Sequence, residues 1–322
     1  MSRVKQTIME KTSKILVLGS TGLLGDAVSK RLALEQYFHV SCPGSTSLNL
    51  LNKEKVYNYF SMFRPEYVFY CAGKVGGIVA NKSFPVEFFT KNMEMSINTI
   101  EACHKYGVKK TILLGSSCIY GKDCPQPMKE EYLMKGELEP TNEAYALAKL
   151  SMMRLGEYYN KEYGTNFITA HPCNVFGIND NFHKEHSHLI ASVIRKVYEA
   201  KQNNLKSIEI WGDGTPIREH IYVDDVADAL VFLINNYNSN SSINIGTGIG
   251  LTIQKIYEII MQEMGYNGNL VFDKTKPNGT MKKVVDVSKI SKLGWSFNIS
   301  FVEGIKKVIK YLEENNFNWK EK

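Results

Sequence analysis

The stretch KILVLGSTGLLG, residues 14–25, is an almost continuous apolar run followed by three glycines spaced three residues apart. Such a run is typical of a strand buried in a parallel sheet, and the residues after it predict a helix from about 23 to 34. Glycines permit a tight turn, and a helix N-terminus offers free N–H groups to a pyrophosphate. The spacing therefore predicts a dinucleotide-binding turn made of Gly19, Thr21, Gly22, Leu23, Leu24 and Gly25.

The rest of the chain alternates β-rich runs with amphipathic helical stretches, which predicts an α/β fold. The expected architecture is a Rossmann-type doubly wound parallel sheet with a smaller, interleaved C-terminal domain. Further strands are predicted at 38–42, 66–73, 109–117, 166–177 and 207–212, and helices at about 53–62, 86–106, 144–162, 187–202 and the C-terminus. The motif Thr141-Asn142-Glu143 predicts a capped helix start.

The division that follows from this rhythm has three parts. We expect a polar N-terminal extension over 1–13, an NAD(P)-binding Rossmann domain over 14–177, and a second domain over 178–322. The second domain is expected to carry most of the substrate site and to return some segments to the Rossmann core.

Composition excludes several classes of protein. The chain has 322 residues, 43% of them apolar, and its net charge of +6 is spread along the sequence, which does not predict nucleic-acid binding. No apolar run approaches the roughly 20 residues of a membrane span, and the polar N-terminus lacks the apolar core of a signal peptide. Six cysteines without a CxxC pair predict free thiols in a reducing compartment, so the cytoplasm is the expected location. The histidines at 183, 186 and 188 have no acid or cysteine partner at ligand spacing, so no metal site is predicted.

Tyr145 and Lys149 lie four residues apart, hence on one face of the predicted helix. A phenol is a weak acid at neutral pH, and a nearby ammonium should lower its pKa, so that it can protonate a carbonyl oxygen as hydride arrives at the carbon. The spacing alone also fits a surface pair. Ser116, which ends an apolar strand some thirty residues upstream, adds a hydroxyl at the edge of the sheet where α/β folds bind ligands. Together with the glycine turn, these residues predict an NAD(P)-dependent oxidoreductase.

The end of the second predicted strand bears on the choice of cofactor. It reads Val40-Ser41-Cys42-Pro43-Gly44-Ser45-Thr46, with neither an acid for a ribose hydroxyl nor an arginine for a 2′-phosphate. The hydroxyls of this segment, Ser45 among them, are able to hold a phosphate. NADP(H) is favoured, with NAD(H) as the alternative.

Longer strings extend the similarity beyond these short motifs. The chain resembles the GDP-L-fucose synthases of the extended short-chain dehydrogenase type in CAGKVGGI (71–78), LGSSCIY (114–120), EPTNE (139–143), DNFH (180–183), SH (187–188), WGDGTPIRE (211–219) and KPNGT (276–280). The resemblance implies a homodimer formed through helices near 86–106 and 144–162. It also implies NADPH-dependent conversion of a GDP-4-keto-6-deoxy sugar, by epimerisation at C3 and C5 followed by reduction at C4.

Carried over position by position, the resemblance assigns roles to individual residues. Ser116, Tyr145 and Lys149 match the reductase triad, while Cys118 and His188 match the pair that moves protons during epimerisation. The implied cofactor contacts add Ser45, Ala72, Gly73, Pro172, Asn174, Val175 and His188 to the turn and to the Tyr–Lys pair. The implied substrate contacts are Val75, Gly76, Ser116, Ser117, Cys118, Asn174, Lys196, Trp211, Arg218 and Lys276, and Arg195 could add charge to the same cleft.

The chain also departs from the family pattern. Ser20-Thr21 replaces a histidine followed by a basic residue, Pro43 to Ser45 replaces an arginine at the end of the second strand, and Cys173 replaces a threonine expected near the substrate. Three alternatives follow. The first is a reductase alone, acting on a related GDP-4-keto-6-deoxy-heptose. The second is an NDP-sugar 4-epimerase or dehydratase, and the third is a dinucleotide-binding protein without catalysis.

Overall fold

The computed structural model describes residues 8–184, 186–276 and 278–319. Its strands are β1 (Lys14–Leu18), β2 (His39–Ser41), β3 (Tyr67–Tyr70), β4 (Lys110–Leu114), β5 (Phe167–Pro172), β6 (Asn174–Phe176), β7 (Ser207–Trp211), β8 (Ile217–Tyr222), β9 (Ile243–Ile245), β10 (Gly250–Thr252), β11 (Asn269–Asp273) and β12 (Lys282–Lys283). Its helices are α1 (Leu23–Leu34), α2 (Lys53–Phe63), α3 (Ile78–Ser83), α4 (Pro85–Lys105), α5 (Glu143–Tyr163), α6 (Leu189–Gln202), α7 (Val223–Asn236), α8 (Ile253–Glu263), α9 (Ser288–Lys292) and α10 (Phe301–Glu314). Two short 3₁₀ turns lie at Ser117–Ile119 and Glu130–Tyr132.

The main sheet has six strands in the order β2-β1-β3-β4-β5-β9, and every neighbouring pair is parallel. The chain winds outward from β1 to β2 and then back across to β3, so the strand order reverses beside β1. Ligands of doubly wound folds bind at such a reversal, outside the carboxyl ends of the strands. The predicted α/β, Rossmann-type fold is confirmed.

The apolar run of β1 is buried on both sides of the sheet. Ile15 and Val17 belong to the hydrophobic cluster under α1 and α7, whereas Leu16 and Leu18 belong to the cluster under α2, α4 and α5. Successive side chains of a strand point to opposite faces, so a strand covered on both faces must be apolar at every position. This burial fixes the end of β1, and with it the glycine turn, at the centre of the sheet edge.

The single strand predicted over 166–177 is wrong, because the chain there forms two strands in two different sheets. Strand β5 lies between β4 and β9 in the main sheet, whereas β6 pairs with β8. The change occurs at Cys173, whose N–H donates to the Ile245 carbonyl oxygen at 2.9 Å. The apolar segment thereby passes from the main sheet into the second one.

The second half of the chain contributes to both parts of the molecule. Strand β9 completes the main sheet, and α7 packs against α1. A second sheet contains β10, β8 and β12, with β6 joined to β8, and a parallel pair is formed by β7 and β11. The amphipathic helix predicted at the C-terminus is α10, which begins with a capping box between Ser300 and Glu303.

The N-terminal extension predicted over 1–13 lies partly outside the described residues, since the description begins at residue 8. Met9 is buried, and its N–H donates to Asn235 Oδ1 on α7 at 2.8 Å. No helix in the described part of the chain has the length and apolar character that crossing a membrane requires.

Candidate active site

The glycine turn connects β1 to α1 in a conformation that requires glycine at two positions. Gly19 has a φ of +80°, and a Cβ there would lie 2.7 Å from the Ala72 backbone. A Cβ on Gly25 would overlap the Gly19 carbonyl group. The N-cap residue Gly22 provides no side-chain cap, so the first N–H groups of α1 remain open to an anion. A dinucleotide pyrophosphate fits this compact, uncapped turn.

The hydroxyl residues of the turn differ in their surroundings. Ser20 Oγ donates to the carbonyl oxygens of Cys42 and Pro43, at 3.0 and 3.1 Å, and so ties the turn to the end of β2. Thr21 is exposed, with its methyl group beside Gly44, and Ser45 is exposed on the same segment. Ser20 therefore braces the backbone, and the side chains of Thr21 and Ser45 lie where the adenosine end of a dinucleotide would extend.

The segment after β3 runs along the same sheet edge. Gly73 is packed between the Asn92 side chain and the Lys149 ammonium group. A Cβ at Gly73 would lie 3.1 Å from Asn92 Oδ1 and 3.5 Å from Lys149 Nζ. The buried Asn92 fixes the next residue, because its side chain both accepts from Lys74 N–H and donates to the Lys74 carbonyl oxygen, each at 2.9 Å. The predicted contacts Ala72 and Gly73 are thus held next to Lys149.

Ser116, Tyr145 and Lys149 come together at the carboxyl end of β4. Ser116 caps the 3₁₀ turn that follows, since its Oγ accepts from Cys118 N–H at 3.1 Å, and its hydroxyl is close enough to the Tyr145 phenol to lower the pKa of Tyr145. Lys149 Nζ donates to the Leu114 carbonyl oxygen at 2.8 Å and lies 5.9 Å from the Tyr145 ring centroid. Ser116, which follows β4, thus shares one corner of the sheet edge with two side chains of α5 that lie 29 and 33 residues further along the chain.

Burial controls the proton affinities in this corner. It raises the pKa of Tyr145, the negative charge of a Cys118 thiolate would raise it further, and the Ser116 hydrogen bond lowers it. Burial also lowers the pKa of Lys149 to about 8. The sequence predicts that Lys149 lowers the Tyr145 pKa, but in this arrangement the lowering comes from the Ser116 hydroxyl.

The predicted proton-transfer pair lies on two separate elements. Cys118 is in the 3₁₀ turn Ser117–Ile119, half-buried and close enough to influence the Tyr145 pKa. His188 is the N-cap residue of α6, and its Nδ1 lies 3.5 Å from Asp180 Oδ1. Desolvation opposes protonation of His188, but Asp180 outweighs it, so the pKa of His188 is raised. Sequence reasoning assigns no role to the Asp180 carboxylate. The sequence feature that points to its pairing with His188 is its position eight residues earlier in the chain.

The predicted substrate residues surround the second sheet. Arg218 on β8 is half-buried, and burial lowers its pKa while Glu139 raises it. Trp211 is exposed at the end of β7, with the Lys276 ammonium 5.7 Å from its ring centroid. Asn174 Nδ2 donates to the Glu219 carbonyl oxygen at 2.8 Å.

The remaining predicted substrate contacts have different environments. Burial lowers the pKa of Lys196 on α6, Ser117 is buried in its 3₁₀ turn, and Val75 is exposed on the loop before α3. Gly76 packs against Ala80 and Phe88, and the next residue, Gly77, donates its N–H to the His186 carbonyl oxygen at 3.1 Å. That bond joins the 75–77 loop to the histidine segment.

Three expectations from sequence need correction. Cys173 is buried against Glu219 and Thr247, because its position between β5 and β6 turns the thiol inward. Arg195 does not extend its charge toward the substrate residues, since it bonds Glu199 and the Phe182 carbonyl oxygen. Helix α5 begins at Glu143, one residue before the predicted start, and the Asn142 side chain makes no cap bond.

Two buried or bridging carboxylates were also missed from sequence. Glu219 is fully buried, and its side chain accepts from the N–H groups of Thr247, Gly248 and Val285, which joins three segments of the second sheet. Glu139 accepts from Thr280 Oγ at 3.1 Å and so connects the 276–280 loop to the segment before Tyr145. Among the described residues, no group of three or more histidine, cysteine or acidic side chains could hold a metal ion.

Comparison with known proteins identifies relatives along nearly the full chain. A putative GDP-L-fucose synthase of Arabidopsis thaliana is 40% identical over 96% of this chain and 94% of its own length. A GDP-L-colitose synthase of Yersinia pseudotuberculosis is 39% identical over 94% of this chain and 99% of its own.

Solved structures agree with these relatives. A GDP-6-OMe-4-keto-L-xylo-heptose reductase from Campylobacter jejuni superposes with a TM-score of 0.90 and 31% identity, covering 96% of this chain and 100% of that one. A GDP-mannoheptose C4 reductase from Campylobacter jejuni, with NADP bound, superposes with a TM-score of 0.87 and 32% identity, covering 95% of this chain and 99% of that one. The profile of the NAD dependent epimerase/dehydratase family matches residues 15–246. The chain therefore belongs to the NAD dependent epimerase/dehydratase family and, within it, to the GDP-L-fucose synthase family.

Proposed function

We propose that this chain is an NADPH-dependent oxidoreductase that reduces the C4 keto group of a GDP-4-keto-6-deoxy sugar in nucleotide-sugar biosynthesis. The observation that carries the proposal is the meeting of Ser116, Tyr145 and Lys149 beside the glycine turn. Its relatives are named GDP-L-fucose and GDP-L-colitose synthases, and a similar solved structure is a GDP-sugar C4 reductase. These names share a GDP-sugar as substrate.

The residues present fit the cofactor that the family implies. The uncapped start of α1 suits a pyrophosphate, and the exposed Thr21 and Ser45 hydroxyls suit the 2′-phosphate of NADP. Ala72 and Gly73 line the same edge, as do Pro172 at the end of β5 and Asn174 and Val175 at the start of β6. NADPH, when bound, supplies the hydride.

The chain's own residues manage the proton and the charge at the keto oxygen. The Ser116 hydroxyl is close enough to the Tyr145 phenol to lower its pKa, so both hydroxyls are near enough to bond one carbonyl oxygen. Tyr145 gives its proton to that oxygen as the oxygen gains negative charge. Lys149, held next to Gly73 by its bond to the Leu114 carbonyl oxygen, is placed to bond the cofactor.

Replacement of Tyr145 by phenylalanine tests this role. The Tyr145→Phe enzyme should bind NADPH as the natural enzyme does, but it should reduce a GDP-4-keto-6-deoxy sugar roughly 10²- to 10⁴-fold more slowly, since it lacks the positioned acid. NADPH oxidation followed by absorbance gives the rate, and fluorescence titration gives the cofactor affinity. Exposed Tyr158 on the same helix provides the matched control Tyr158→Phe. Equal turnover by both variants would sink the mechanism.

Epimerisation at C3 and C5 is the second part of the proposed activity. Protons next to a ketone are acidic enough for a positioned base, and inversion needs a base and an acid on opposite faces of the sugar. Cys118 lies beside Tyr145, whereas His188 belongs to a different segment and holds a raised pKa. Deuterium incorporation at C3 and C5 in D₂O without reductant measures this activity.

A reductase that acts on a GDP-4-keto-6-deoxy-heptose is the alternative. The observation that favours it is the similarity to two heptose reductases of known structure, with TM-scores of 0.90 and 0.87. Supplying the hexose- and heptose-derived 4-keto substrates separately, and identifying each product by NMR, distinguishes the two functions.

The assembly and location complete the proposal. We infer a homodimer formed through α4 and α5, which lie side by side and carry exposed apolar residues on their outer faces. The six free cysteines suit a reducing compartment, so the cytoplasm is the proposed location.

A further inference from the structure

Asp180 and His188 face each other within the loop that joins β6 to α6. The Asp180 side chain is only 5% exposed, while that of His188 is 44% exposed, and 3.5 Å separates Oδ1 from Nδ1. The carboxylate is therefore enclosed by protein, whereas the imidazole reaches the surface of the cleft.

The enclosed carboxylate has few other partners. Oδ1 accepts from the Asn181 N–H at 2.8 Å, and Oδ2 has no hydrogen-bond partner in the described part of the chain. A buried carboxylate with so little hydrogen bonding is costly unless a positive charge lies next to it. His188 is the basic group paired with Asp180. A protonated imidazole therefore compensates the negative charge of the carboxylate, whose burial would otherwise destabilise the loop.

We propose that Asp180 is the positioning residue of His188: it holds Nδ1 and leaves Nε2 to exchange protons with the sugar. The ring nitrogens lie on opposite edges of the imidazole, so engagement of one determines which nitrogen can act. This inference rests on the proposed function, because it assigns His188 the acid of the epimerisation.

The charged groups around His188 are consistent with Asp180 being the group that raises its pKa. The pKa of His220 on β8 is lowered to about 3, mainly by burial and further by the charges of Arg218 and His188, so His220 stays neutral at physiological pH. On the loop itself, the rings of His183 and His186 stack at 4.6 Å between centroids. The cations on this loop and on neighbouring elements include Arg218, which is near Glu139, Arg195, which is paired with Glu199, and Lys74, which is paired with Glu87, together with Lys82, Lys184 and Lys196. A cation would lower the His188 pKa, so the increase comes from Asp180.

A direct test titrates the His188 imidazole by NMR in the full-length protein labelled at histidine, with the signal assigned from a His188→Gln variant. Asp180→Asn should lower the His188 pKa to the free value of about 6.5 or below, and Asp180→Glu should restore part of the increase. The matched control is Asp225→Asn. Asp225 is equally buried, but its carboxylate accepts from the N–H groups of Asn298 and Ile299, far from His188 in sequence. An unchanged His188 titration in Asp180→Asn would overturn the proposal.

Deuterium exchange adds a readout that a structural role alone would not move. Asp180→Asn should slow exchange at the reprotonated sugar carbon roughly ten-fold or more at pH 7, a part of the 10²–10⁴ that a positioned acid contributes. The upper pH limit of exchange should also move to lower pH, while C4 reduction of an already epimerised 4-keto sugar keeps its kcat. Loss of reduction and exchange together would contradict a positioning role. Absence of exchange in the natural enzyme would refute epimerisation instead, and the imidazole titration would still decide whether Asp180 pairs with His188.

Discussion

At the scale of single residues, two buried histidines, His171 and His220, make the folded state sensitive to acid. His171 on β5 is 0% exposed, and neither ring nitrogen has a hydrogen-bond partner among the described residues. His220 packs edge-on against Phe176. Burial lowers the pKa of each histidine to about 3, so both remain neutral in the folded protein at pH values where an unfolded chain would protonate them.

The expected result is a loss of stability as pH falls below about 6.5. Between that value and about 3, the unfolded state binds more protons, so each histidine should cost about 1.4 kcal/mol of unfolding free energy per pH unit. Urea unfolding at pH 7 and pH 5 measures the change. His171→Met and His220→Phe should each make the profile flatter, whereas the exposed His39→Gln should not. If the unfolding free energy depended equally on pH in all three variants, this account would be contradicted.

Single residues of the site were predictable where a short spacing carries the chemistry. The i and i+4 positions of Tyr145 and Lys149 follow from helical geometry, and Ser116 follows from its place at the end of an apolar strand. Asp180 was not predictable as the partner of His188, because both lie in a loop without a repeating pattern. The direction of the Tyr145 pKa shift was also missed, since it depends on how deeply tertiary packing buries the phenol.

At the scale of elements, the segment after α10 holds the loop that carries Asp180. Phe317 stacks on Tyr198 of α6 with 3.9 Å between ring centroids, and Trp319 packs on Phe182 at 5.6 Å. The Arg195 guanidinium lies 5.4 Å from a Trp319 ring centroid and donates to the Phe182 carbonyl oxygen. The chain's last described residues therefore fix Phe182, two residues after Asp180.

Removal of the Trp319 ring should loosen this loop. Trp319→Ala deletes an aromatic contact and a cation–π contact, so we expect a loss of about 1–2 kcal/mol in unfolding free energy and faster amide hydrogen exchange over 180–188. Mass spectrometry measures that exchange peptide by peptide. Tyr158→Ala removes an exposed aromatic ring from α5 and should leave the 180–188 peptide unchanged. Equal exchange in both variants would mean that Trp319 does not restrain the loop.

Elements were predictable from sequence where hydrophobic periodicity alone determines them. Strand β1, helix α1 and helix α10 all lie where apolar spacing and the glycine or capping residues indicate. The break of the 166–177 run into β5 and β6 was not, because local spacing does not show which sheet each part joins. The choice of sheet is made by hydrogen bonds to β9 and β8, which come from far along the chain.

At the scale of the whole molecule, the outer faces of α4 and α5 form an apolar surface. On α4, Val86 is 74% exposed, and Phe89 and Ile97 are exposed on the same side of the helix. On α5, Leu147 and Tyr158 are exposed eleven residues apart, which is three helical turns. Exposed apolar residues that share one side of neighbouring helices are typical of an interface, and in the proposed homodimer a two-fold axis would place each α4 and α5 pair against its copy.

A charge placed in this surface should separate the copies. Ile97→Glu would appear twice in a two-fold interface, so we expect the protein to sediment as a monomer of 36.5 kDa, where the natural chain sediments at twice that mass. Analytical ultracentrifugation across a concentration series measures the shift in association. The matched control is Met62→Glu on α2, where an apolar side chain is 86% exposed on a helix that the proposed interface does not include. If Met62→Glu and Ile97→Glu both remained dimeric, the interface would have to lie on another face of the molecule. If the natural chain itself sedimented as a monomer, the proposed homodimer would be wrong.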